Sequence, residues 1–137
     1  MKDVALKLTM LDNPGMTPEG DKTNLGTWQE STKNADLICY LVNVVQLRQR
    51  RYWEVALNGA RHIARWDEDG SRRRLLILTY CDLDPAWGQD NPDEIIGRSE
   101  VIELRMNLKA ESILMGSTKD EDTTRDLAYD LLQVLVR

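Results

Sequence analysis

Two apolar runs constrain this chain more than any other feature. Ala35–Val45 reads Ala-Asp-Leu-Ile-Cys-Tyr-Leu-Val-Asn-Val-Val, and Leu75–Tyr80 reads Leu-Leu-Ile-Leu-Thr-Tyr. Neither alternates apolar with polar, as a strand with one wet face would. Both are far shorter than the roughly 20 residues needed to span a bilayer. Short, continuous, β-branched-rich runs suit strands buried on both faces of a parallel sheet. Parallel strands need crossovers, and the intervening segment supplies one. From Gln49 to Trp66 the apolar residues Trp53, Ala56, Leu57, Ala60, Ile63 and Ala64 fall on one helical stripe, and His62 lies off it, as a surface histidine would.

The rest of the chain keeps the same alternation. Val4–Leu11 reads as a strand, with Val4, Leu6 and Leu8 alternating before Met10 and Leu11. A polar loop runs from Asp12 to about Gly26, then a short helix covers Thr27 to Asn34. Asp67 to Ser71 is a turn. After Leu75–Tyr80 comes a loop with Pro85, Trp87 and Gly88. Asn91-Pro92-Asp93-Glu94 is a helix start, with a capping Asn, a proline that fits the first turn and acids at the positive end of the dipole. That helix is expected to reach Asn107. Ser112–Gly116 is a last strand, and Asp122 is expected to cap a final helix carrying Leu127, Leu131, Val134 and Leu135. The pattern specifies an α/β fold in three layers, a mostly parallel sheet with helices on both faces, in a single domain over residues 1–137.

Composition narrows the function. The net charge of −5 argues against nucleic acid as the main partner, because phosphate backbones need a basic face. Basic clusters at Arg48, Arg50, Arg51 and at Arg72, Arg73, Arg74 read as solvated surface. With one histidine and two distant cysteines, Cys39 and Cys81, a zinc cluster, a Ser-His-Asp triad and a disulfide scaffold are all unsupported. No signal peptide is visible, and a reducing, cytoplasmic setting is expected.

In parallel α/β sheets ligands bind at the carboxyl ends of the strands. There the sequence places Asp12-Asn13-Pro14-Gly15, then Thr79-Tyr80-Cys81-Asp82, then Gly116-Ser117-Thr118-Lys119. In order and position these resemble three signatures of the Ras-like small GTPases: D-x-x-G, [NT]-K-x-D and S-A-K. The resemblance covers nearly the whole chain and implies a truncated Ras-like G domain. It implies that Asp12 reaches magnesium through water and that the Gly15 amide meets a terminal phosphate. It implies that Asp82 accepts the two guanine hydrogens that adenine lacks, with Thr79 beside it, and that a backbone amide of Ser117, Thr118 or Lys119 recognises the guanine oxygen. Tyr80 stands where the family has Lys, and an aromatic ring there can stack on a base. Thr118 stands where it has Ala.

The family's P-loop, G-x-x-x-x-G-K-[ST], and its first switch are absent from this sequence. The resemblance therefore implies GTP or GDP binding with magnesium that is weak or depends on a complementary segment, with hydrolysis not expected of the chain alone. The alternative is a pseudo-GTPase interaction module without nucleotide. Gly15–Thr23 imitates a P-loop, but Asp21 shifts Lys22 out of register, Pro18 removes an amide, and no helix is expected to start at Lys22. In the Ras-like sheet the strand before the P-loop lies between those corresponding here to Val4–Leu11 and Ala35–Val45. Its absence implies that these two close on each other or that a protein partner or second copy supplies a strand. A receiver-like signalling domain fits poorly, because the first strand offers only Asp12.

Overall fold

The computed structural model describes residues 22–137. Three parallel strands, β1 (Leu37–Asn43), β2 (Arg73–Thr79) and β3 (Ser112–Met115), form a sheet in the order β1-β2-β3. Leu37 lies beside Arg73 at one end of the first pair and Asn43 beside Thr79 at the other. Ile77 lies beside Leu114 in the second pair.

Helices cover both faces. On the first, α1 (Lys22–Asn34), α2 (Arg50–Trp66) and α5 (Ser99–Leu108) pack on Tyr40, Val42, Leu76 and Leu78. The expected stripe of α2 buries Ala56, Leu57, Ala60 and Ile63. On the second face α6 (Glu121–Leu135) lays Leu127, Leu131 and Val134 over Leu75 and Ile77. Among the described strands only β2, the central one, is buried on both faces, so β1, expected from its continuous apolar run to be buried on both, is not. On β1, Cys39 and Leu41 point away from the main core and are exposed, Leu41 at 61%.

Several local expectations are corrected. The first described helix spans Lys22–Asn34 rather than starting near Thr27, so one argument against the P-loop imitation falls, while the register and missing-amide objections stand. The helix foreseen from Asn91 to Asn107 is two, α4 (Pro92–Ile96) and α5, because Arg98 adopts extended backbone (φ −68°, ψ 142°). Asn91 occupies the cap position of α4, but its side chain makes no capping bond. The loop around Pro85 contains a short helix, α3 (Pro85–Gly88), capped by Asp84. The final helix is capped by Asp120 rather than Asp122. Asp120 accepts from the Thr123 N–H at 2.8 Å, and the Thr123 hydroxyl faces back toward the Asp120 N–H at 3.4 Å. One residue of Thr at the third helical position closes this box, which no acid at 122 can do.

The Arg72–Arg74 cluster is not a solvated patch. Arg74 is buried, 2.6 Å from the buried Asp67 carboxylate, and also donates to the Leu108 carbonyl. Arg72 donates to the same carboxylate at 3.0 Å, and Arg73 grips Glu111 at 2.8 Å. His62 is half-buried and stacks on Trp66, ring centroids 5.4 Å apart. No helix among the described residues is long and apolar enough to cross a membrane.

Candidate functional site at the carboxyl rim of the sheet

The three strands are parallel, so their carboxyl ends share one rim. At the end of β1, the Asn43 side-chain oxygen accepts from the N–H groups of Val45 and Gln46 at 3.0 and 3.3 Å, turning the chain sharply. A single 3₁₀ turn (Gln46–Arg48) then leads into α2. At the end of β2, Thr79 donates its hydroxyl to the Val42 carbonyl at 3.2 Å. The next residue, Tyr80, takes left-handed backbone (φ 60°, ψ 28°) and leaves its ring half in solvent. L-residues with a Cβ avoid this conformation, at a cost of about 1–2 kcal/mol. It turns the chain out of the strand and into a second 3₁₀ turn, Cys81–Leu83.

The two later loops are joined through backbone. Cys81 N–H donates to the Gly116 carbonyl at 3.2 Å, just as Gly116 N–H donates to Leu78. The loop that carries the sequence-predicted Thr79, Tyr80 and Asp82 is therefore tied to the one that carries Ser117, Thr118 and Lys119. Within the second loop, the buried Ser117 hydroxyl accepts from Lys119 N–H at 3.1 Å, which fixes the turn and leaves Thr118 and the Lys119 side chain exposed. Two of the rim groups without hydrogen-bond partners among the described residues bear on the expected site. The half-buried Asp82 carboxylate enters no hydrogen bond or ion pair, and the Thr118 N–H meets no acceptor. Asp12 and Gly15, the magnesium and phosphate candidates, lie outside the described residues. Among those residues no cluster of three or more His, Cys, Asp or Glu could hold a metal.

Sequence reasoning missed the support under this rim. Asp84 is buried, caps α3 through Ala86 N–H at 3.0 Å, and receives both arms of Arg98 at 2.5 and 2.9 Å. Arg48, from the turn after β1, approaches the same carboxylate at 3.8 Å. The Arg98 guanidinium holds the Asp84 carboxyl below its ordinary range, against the burial that would raise it. An Asp-Pro pair at a helix start was the available signal. The extended backbone at Arg98 that splits the long helix is what lets this side chain reach Asp84. Beside it, burial pushes the Cys81 thiol up to about 11, which makes it a packing group rather than a nucleophile.

The rim thus carries an exposed ring on strained backbone, an unpaired carboxylate and several amides without acceptors, Thr118 among them, on two loops tied together and braced from below. No family model matches the chain, and neither does any curated protein or solved structure.

Proposed function

We propose that the rim formed by Thr79–Asp82 and Ser117–Lys119 is a guanine-binding edge, and that the chain acts as a GTPase-like, nucleotide-responsive domain rather than as an independent enzyme. The observation that carries this reading is Tyr80. A half-exposed aromatic held in left-handed backbone, next to a free carboxylate, is strain kept at a place where a ligand can use it. Stacking on a base contributes about 1–3 kcal/mol. Asp82 has both oxygens free for the N1 and exocyclic N–H groups of guanine, and the open Thr118 amide suits its carbonyl. Those are the donor and acceptor positions that separate guanine from adenine. Magnesium and phosphate contacts would fall to Asp12 and Gly15 by the resemblance to small GTPases.

Titration of the full chain with fluorescent GDP and ADP, with magnesium, tests the reading beside Asp82→Ala. Guanine selectivity that disappears in the variant supports it. Equal affinity for both nucleotides, or selectivity that survives Asp82→Ala, overturns it.

A second reading is a protein-interaction module with no nucleotide. It is favoured by the apolar side chains exposed on and near the same rim: Leu41, Val45 and Leu83. Failure of both nucleotides to bind, with Leu83→Glu leaving stability unchanged, would favour it.

A further inference from the structure

Three helices pack on the first face of the sheet, and among the described residues one packs on the second. That one, α6, crosses its face diagonally. At the carboxyl end Leu127 lies over β3, so close that a Cβ on Gly116 would stand 3.1 Å from it. At the amino end the Val134 carbonyl accepts from Arg73 of β2 at 2.8 Å, and Leu37 of β1 joins the cluster beneath the helix. α6 therefore closes over β1 at Leu37 and parts from it further up. In that wedge Cys39 and Leu41, on the same face of β1 as Leu37, stay exposed.

The flank that α6 turns toward the wedge is apolar as well. Ala128 and Leu132 lie roughly 90–130° around the helix from the sheet-facing Leu127, Leu131 and Val134, with Tyr129 and Val136 beyond them. Crossovers between parallel strands are right-handed. With α2 and α5 on the first face, a right-handed helix descending the second carries this flank on the β1 side. Tyr129 and Val136 are each 62% exposed, and Leu132 45%. The opposite flank holds Asp126, Asp130 and Gln133.

An apolar ridge beside an apolar groove is self-complementary. About a two-fold axis, the ridge of each molecule fills the groove of the other, and the two ridge helices run antiparallel. The charges agree with that direction. α6 starts with Asp120, Glu121 and Asp122, while Arg73 and Arg137 flank Glu111 at the amino end of the second face. An antiparallel partner helix brings its acidic start to those arginines. The 15 residues of α6 make a helix about 22 Å long, and with the groove the strip is about 20 Å wide, two helix diameters. That suits a dimer at the lower end of the specific range.

We infer that α6 and the groove over Cys39 and Leu41 form the interface of a homodimer, with Leu132 near its two-fold axis. The inference is independent of whether the rim binds guanine.

Sedimentation velocity and light scattering on the full chain, from micromolar to near-millimolar concentration, test this. The mass should rise with concentration from that of one chain toward that of two. Leu132→Glu should weaken association about 30-fold or more, as loss of a hot-spot side chain does. It should leave the melting temperature of the dilute chain unchanged, because Leu132 is exposed there. Tyr129→Asp should act the same way. Met106→Glu, at an exposed position of α5, should leave association intact. Alkylation of Cys39 should slow as the dimer forms. A chain that stays monomeric throughout overturns the inference. So does a dimer that survives both Leu132→Glu and Tyr129→Asp, or one that Met106→Glu dissolves equally.

Discussion

The Asp67 carboxylate and the Arg74 guanidinium meet at 2.6 Å inside the protein, both side chains almost wholly removed from water. Asp67 ends α2, and Arg74 lies at the start of β2. A second guanidinium, Arg72, shares the carboxylate and also reaches the Lys33 carbonyl at the end of α1. Removing one member of a buried pair leaves an uncompensated charge, at a cost of about 3–5 kcal/mol. Asp67→Ala should lower the chemical-denaturation midpoint accordingly. Asp67→Leu with Arg74→Met should be more stable than Asp67→Ala, since the buried charge is then gone from both sides. A double variant no better than the single would show that geometry, not charge, governs the site.

Acid should unfold the protein in a defined direction. Burial would raise the Asp67 carboxyl, but the bonds from Arg74 and Arg72 outweigh it and hold it well below the usual range. Asp84 is held low by Arg98. A depressed folded-state pKa contributes stability above the ordinary carboxylate pKa, and loses it as pH falls through the folded value. Urea unfolding should therefore give a nearly constant midpoint from pH 7 to 5 and a falling one below about pH 4. Asp84→Asn should be less stable at pH 7 and lose less on acidification.

Gly59 sits where α2 crosses Tyr40. A methyl group there would collide with the Tyr40 hydroxyl and come within 3.1 Å of the Trp28 ring. Alanine normally favours a helix interior over glycine. Here Gly59→Ala should destabilise, by about 1–3 kcal/mol as overpacked cores do. Tyr40→Phe forfeits the 2.6 Å bond to the Ala56 carbonyl but frees the space. Thermal melts of the two single variants and the double should give a penalty for Gly59→Ala that is smaller when it is combined with Tyr40→Phe.

The two thiols should separate cleanly. Cys39 is exposed and Cys81 is completely buried with a raised pKa. A thiol reagent at pH 8 should modify one cysteine in the native protein and two in denaturant. Fast native reaction of Cys81 would mean that the loop joining β2 to α3 opens readily.

Tyr80→Asn distinguishes a strained residue kept for binding from one kept for packing. Asparagine tolerates left-handed backbone, so stability should hold within about 1 kcal/mol or improve. If the ring stacks on a base, guanine-nucleotide affinity should fall about tenfold, the lower part of the stacking range. Loss of stability without loss of affinity would assign Tyr80 to the fold alone.

The periodic parts of the fold were legible. The α2 stripe and the three strands with their crossovers follow from hydrophobic spacing alone, because burial dictates it. Pairings between distant polar residues left no such trace. Nothing in Arg72-Arg73-Arg74 says which of the three turns inward, since that depends on where Asp67 arrives after a 17-residue helix. The split before Arg98 had a weak signal in Gly97, which ends α4, but its pairing with the buried Asp84 left none. Asp82, Ser117 and Lys119 could be picked out as strand-end residues. The backbone bond from Cys81 to Gly116 that ties their two loops could not, because main-chain amides carry no sequence signal.

The polar staple of Asp67, Arg72 and Arg74 sits at the amino end of the sheet, opposite the rim. One buried charge cluster thus closes the amino end, and the Asp84–Arg98 pair braces the carboxyl end. Exposed positions after β2 and β3, Tyr80, Leu83 and Thr118, can therefore change without touching that staple, whereas the buried Asp84, Cys81 and Ser117 in the same loops cannot change without loosening the rim itself.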